Sequence, residues 1–218
     1  MANGTGSPAA GLGNPFFTIW IAPRATIRRI VDTDPTRHVL MLAALGPALL
    51  ALYGQWSKAV GDNANLSVLW PVWVVVGVAM QAALGILGLY ISGVLFRWSG
   101  SLLGGTASRV EVRAAFAWSQ IPSIATVLIL LAALFMGMPM PQMTPGHRPR
   151  LDAAMWRTMA ITAVPSIWGF VIHLKCLGEV HRFSAWKALG TLLIPALIFG
   201  IGSIALVLLL GRILTTHH

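Results

Sequence analysis

Five runs of about twenty or more apolar residues, nearly free of charge, punctuate this 218-residue chain. A bilayer core about 30 Å thick is crossed by about 20 residues of helix. The runs fall at about 39–56, 68–96, 114–137, 155–174 and 188–210. Lipid offers no partner to an open backbone N–H or C=O, so each run must be helical. The expected fold is therefore an all-α membrane protein, a bundle of five transmembrane helices preceded by a short amphipathic interfacial helix. The second run exceeds what a crossing needs and should tilt or protrude. Composition agrees: only 10% of residues are charged, against about a quarter in soluble domains. A surface so poor in charge has to face something other than water.

The formal net charge is +9. The basic residues sit between the apolar runs and form no stripe or groove, so they read as partners of anionic lipid head groups and not of nucleic acid. Their distribution sets an orientation. With the N-terminus cytoplasmic, that side holds Arg24, Arg28, Arg29, Arg37, Arg97, Arg109, Arg113, Lys175, Arg182 and Lys187. The other side holds Lys58, Arg148, Arg150, Arg157 and Arg212. The expectation is a multi-pass inner-membrane protein, N-terminus cytoplasmic and C-terminus periplasmic, with the 138–154 loop the segment most at odds with it. Residues 1–14 are Gly/Ala/Ser-rich, expected to be a flexible tail, and lack the basic and apolar regions of a signal peptide. His217 and His218 are compatible with a tag as much as with native sequence and carry no functional weight.

Residues 15–34 are expected to form an amphipathic interfacial arm ahead of a five-span domain at 35–214. Phe16, Trp20, Ile27 and Ile30 or Val31 can share one face, with Arg24 and Arg28 a turn apart on another. That is the pattern of a helix lying in the membrane surface. Phe16, Phe17, Trp20, Arg24, Arg28 and Arg29 are its candidate lipid-binding residues. An irregular arm packed on the bundle is the alternative. Pro23 should split the arm, and Asp34-Pro35 looks like a cap and first position of the first span. Every span carries a proline: Pro47, Pro71, Pro122, Pro165 and Pro195. All but Pro71 are expected inside their helices, freeing carbonyls that neighbours must satisfy. Small residues along the second and fifth spans suit close helix contact, within one chain or in a homo-oligomer.

Candidate chemistry is sparse. Acidic residues lie near span ends or in loops, which argues against an ion-coupled pump. No nucleophile elbow, phosphate loop or paired-cysteine motif occurs, so neither an enzyme nor a cofactor is expected. Gly104-Gly105 is a bare turn signal. His173, Cys176 and Glu179 are spaced three apart and carry metal-ligand chemistry; the plainer account is a helix end where Lys175 pairs with Glu179. Gln81, Gln120, Ser123 and Ser166 are polar residues inside spans. They serve as interhelical hydrogen-bonding groups or as the lining of a polar cavity.

Three stretches carry a family resemblance. NPFFTIWIAPRATIRRIVDTDP (14–35) resembles the opening of bacterial members of the Yip family, five-span proteins named for interaction with Ypt/Rab GTPases. AWSQIPSIA (117–125) is similar to that family's third span, and SIWGFVIHLKCLGEVHRFSAWKALGTLLIPAL (166–197) to the end of its fourth span and start of its fifth. The resemblance implies five helices and a cytoplasmic N-terminus. The long N-terminal region through which eukaryotic members act has no counterpart in the roughly 37 residues before the first span. Two functional expectations follow. One is a non-enzymatic scaffold that organises membrane, or recruits a protein partner at the cytoplasmic face. The other is a small-molecule or lipid permease built around a polar cavity between proline-kinked helices.

Overall fold

A computed structural model describes residues 13–61, 68–138 and 153–216. The 1–12 tail, the 139–152 portion of the doubtful loop with Arg148 and Arg150, and the terminal histidines lie outside the described residues. Among the described residues all regular elements are helices: α1 (Pro15–Ile21), α2 (Pro23–Thr33), α3 (Val39–Gly61), α4 (Trp70–Leu102), α5 (Arg109–Trp118), α6 (Ile121–Phe135), α7 (Ala153–Val180) and α8 (Ala185–Thr216). Five stretches are long and apolar enough to cross a bilayer, the third being α5 and α6 together.

Local chemistry sets several boundaries. Pro23 does split the arm, opening α2 in the first helical turn, where its missing N–H costs nothing. α5 opens on a capping box: the Glu111 carboxylate accepts from Ser108 N–H at 2.6 Å, and Glu111 N–H donates to Ser108 Oγ. Two expectations need correction. Pro122 lies within the third span but not in the interior of a helix, because the crossing breaks at Ser119–Gln120 and restarts with Pro122 in the first turn of α6. Asp34 does not cap α3. Its carboxylate accepts from the N–H and hydroxyl of Thr36, closing a turn that ends at His38 in the left-handed region (φ 56) before α3 begins.

The spans pack as a closed circuit: α3 meets α4, α4 meets α8, α8 meets α7, α7 meets α6 and α6 returns to α3. At one end, the arm end, α5 packs against α3, α4 and α7, and α2 packs on α5 and α7. The buried core gathers here. Ile19, Ile27, Val112, Ala114, Ala115, Ala117, Ile172, Leu177 and Ala188 are fully buried, with Trp118 among them. Away from this end the spans turn Val75, Ile129, Val164, Ile201 and Leu208 outward, as helices in lipid do.

Two proline contacts hold the circuit. Pro195 denies the Thr191 carbonyl its helical donor. The Ser99 hydroxyl of α4 stands 2.7 Å from that carbonyl and 2.9 Å from Leu95 O, tying α4 to α8 through a buried group. Pro47 likewise frees the Ala43 carbonyl, and α4 meets it with Gly85. A Cβ on Gly85 would collide with Ala43 O and come within 2.8 Å of the Pro47 ring.

Ser99→Ala should destabilise the protein by about 1–3 kcal/mol, the cost of an unpaired buried carbonyl. The same change should cost much less in a Pro195→Ala background, where residue 195 regains an N–H. A double-mutant cycle of unfolding in mixed micelles measures the coupling. Equal costs in both backgrounds would show that Ser99 does not serve the freed carbonyl.

Candidate functional site: a docked arm and an interhelical hollow

The arm is bound to α7 by chemistry that its pattern alone did not show. Arg28 lays its Nε and one terminal nitrogen on Glu179 Oε1, at 3.0 and 2.8 Å, and reaches the Glu179 carbonyl at 2.9 Å. Arg24 adds a longer contact at 3.4 Å to Oε2. The planar guanidinium suits this paired geometry. Trp168 Nε1 donates to the Trp20 carbonyl, an orphan at the end of α1, and Trp118 Nε1 donates to Arg37 O. Thr26 and Thr18 share a buried hydrogen bond between α1 and α2. Ile19, Ile27 and Ile30 enter the core.

The six expected arm residues therefore part company. Phe16 packs against Trp118 and His38. Trp20 is half-buried, and Arg24 and Arg28 meet Glu179 instead of pointing away from the bundle. Arg29 donates to Gly13 O. Phe17 is left outward, with Ile21 one turn on. The arm is helical, as expected, and packs on the bundle with an apolar strip still exposed.

The His173, Cys176 and Glu179 trio does not converge. His173 Nδ1 lies 2.7 Å from Ser119 Oγ, Cys176 is buried with its thiol toward Pro23 O, and Glu179 faces the arm. Among the described residues no group of three His, Cys, Asp or Glu stands together as a metal site. The expected Lys175–Glu179 pair is also absent, because the arginines take Glu179 and Lys175 sits over the Trp168 ring at 5.6 Å.

Gln81, Gln120 and Ser123 do come together. They line a hollow of about 550 Å³ bounded by α3, α4 and the α5–α6 break, with Ser92 as a fourth polar wall residue. Its other walls are apolar and small, among them Gly46, Gly85 and Gly88. The volume is that of a small-ligand pocket. Exposure of Gln81 and Ser123 shows that it is reached from outside. The break at Ser119–Gln120 sets Gln120 here, because a straight third span would have carried its ring of side chains past without a step. A second hollow of about 260 Å³ adjoins, sharing Phe116, Gln120 and Ser123 and reaching His173 and Phe170 of α7. Ser166 lines neither and is exposed on α7.

His181 belongs to the polar group at the exit of the fourth span, with His173, Lys175, Cys176, Glu179 and Arg182. It follows α7 and lies fully buried, stacked on Phe183 at 5.0 Å. Gly100 and Gly105 cradle it, since a Cβ on either would collide with the imidazole. Gly104, at φ 84, makes the intervening turn, and Thr106 N–H donates to the His181 carbonyl.

Two outcomes are expected at this end. Glu179→Ala should loosen the arm and raise maleimide labelling of Cys176 severalfold, since the arm buries the thiol; unchanged labelling would show that the ion pair does not hold it. Burial keeps His181 neutral, lowering its pKa below the ordinary 6.5, with Arg97 adding to the effect and Glu111 opposing it. The folded state thus resists a proton that the unfolded chain accepts. Stability is full above about pH 6.5 and falls as the pH drops below it. Melting at about pH 5.5 should occur below melting at about pH 7.5, and His181→Gln should shrink the gap; a gap of unchanged size would assign it to other groups.

Residues 17–207 match the family model described as the Yip1 domain. No curated protein and no solved structure matches the chain.

Proposed function

The chain belongs to the Yip1 domain family, and from that premise we propose that it is a non-enzymatic membrane protein that holds a lipid chain or small amphiphile between α3, α4 and α6. The hollow carries this reading. A dry, close-packed bundle would suit a pure scaffold, but here about 550 Å³ lies open against Gln81, Ser92, Gln120 and Ser123. Amide and hydroxyl groups from α4 and the α5–α6 break, beside the apolar residues of α3, match a molecule with a polar head and an apolar body. The closed circuit of spans and the dense arm end give that hollow a fixed frame.

A second reading has its own observation. The docked arm, α5 and the α7–α8 turn make a tightly packed platform that leaves Phe17, Ile21 and Trp186 exposed. With the N-terminus cytoplasmic, this is the face at which a protein partner or anionic lipid would be recruited. Arg24, partly exposed beside that strip, and the outward Phe17 are then its contact residues.

Gly88 separates the two. It lines the hollow, and a Cβ there meets nothing within 4 Å, so Gly88→Phe fills the space without striking backbone. The variant should fold, and should retain about tenfold less lipid than the wild type when each is extracted in gentle detergent and its lipids are counted by native mass spectrometry. Gln81→Ala with Gln120→Ala should change which lipid classes are retained. An unaltered lipid complement in Gly88→Phe would sink the hollow reading and leave recruitment at the platform as the function.

A further inference from the structure

Arg113 poses a problem that neither the hollow nor the docked arm answers. It lies one turn inside Arg109–Phe135, the third stretch apolar enough to cross the bilayer. A charge within a span is costly and is normally paired. Among the described residues no carboxylate forms an ion pair with it. Glu111, two residues away in sequence, serves the α5 capping box, and Asp34, next to the groove residue Pro35, serves Thr36. The guanidinium instead lies over the Tyr90 ring, 4.7 Å from its centre.

The position is built, not incidental. The arginine stem passes across Gly93 of α4, where a Cβ would stand 2.6 Å from Cγ and 3.2 Å from Cδ. The head is thereby directed to a groove of about 160 Å³ between the α2–α3 turn, α4 and α5. Leu89 and Val39 form its buried floor, and Leu40 and Tyr90 form an exposed rim. The groove thus joins a cation without an anion to an apolar channel on the outer face of the bundle.

We infer that this groove binds one anionic glycerophospholipid, with its phosphate on Arg113 and an acyl chain along Leu40 and Val110. The phosphate is the anion that the membrane itself supplies at the end of a span. A guanidinium grips it through two parallel N–H donors, while its ring face stays on Tyr90. A zwitterionic lipid brings its own ammonium to the same phosphate and binds less well. The inference is independent of what fills the α3–α4–α6 hollow, since Arg113 does not line it.

The full chain in detergent is titrated with phosphatidylglycerol and, separately, phosphatidylcholine, and bound lipid is counted by native mass spectrometry. The wild type should hold one phosphatidylglycerol about tenfold more tightly than phosphatidylcholine. Arg113→Gln should lose that preference, and Gly93→Ala should weaken it by displacing the arginine stem. Arg157→Gln, which removes the same charge from an exposed site at the start of α7, should keep it. A preference that survives Arg113→Gln, or that Arg157→Gln removes equally, overturns the inference. So does displacement of the lipid by inorganic phosphate alone. Should Arg113→Gln fail to fold, a phosphatidylglycerol with a photoreactive acyl chain tests the wild type directly. Cross-links at Leu40 or Val110 support the site, and cross-links confined to other helices refute it.

Discussion

A backbone carbonyl inside lipid has no water to turn to, and this constraint organises the molecule. Every proline placed within a span frees such a group. The freed Thr191 carbonyl takes the Ser99 hydroxyl, which joins α8 to α4. The freed Ala43 carbonyl faces the bare backbone of Gly85, where a side chain would leave it no room. The end of α1 hands its Trp20 carbonyl to the indole of Trp168. In each case the demand for a partner makes the tertiary contact. Proline serves here less as a hinge than as a device that exposes a hydrogen-bond acceptor to the neighbouring helix.

Packing is uneven along the bundle, and function is argued from the difference. At the arm end, alanines at 114, 115 and 117 let α5 nest among α3, α4 and α7, and Trp118, Ile27 and Ile19 fill what remains. Glu179 anchors the arm with three hydrogen bonds from Arg28. That carboxylate is partly buried, so its attraction is screened less than a surface pair's would be. Past the break α6 stays buried at Leu130, Leu131, Ala133 and Leu134, while a hollow opens between it, α3 and α4. The small residues Gly46, Gly85 and Gly88 permit helix contact where they meet a partner and leave space where they do not. The same residue type thus closes the α3–α4 seam at Gly85 and opens the hollow at Gly88.

The five crossings were legible because hydrophobicity over twenty residues is a local property, and lipid permits only one backbone solution to it. The split at Pro23 was legible for a similar reason: a missing N–H is a fact about one residue. The protein partner of the arm's basic residues was not legible. Arg24 and Arg28 share a face suited to head groups, but their partner is a glutamate more than 150 positions away, and no local pattern encodes that distance. Pro122 misled through the assumption of a continuous third helix. Gln81, Gln120 and Ser123 come from two separate spans and line one hollow, whereas Ser166 is exposed on α7.

The sequence by itself determined that this chain crosses a membrane, how many times, and which polar residues had to be accounted for, because burial in lipid acts on each segment separately. Tertiary structure alone decided which carboxylate holds the arm, which hydroxyl answers which proline, and that Arg113 is left with a ring and no anion. Those outcomes depend on how five helices meet around a closed circuit, and a charge or a freed carbonyl acquires its meaning only from the neighbour that reaches it.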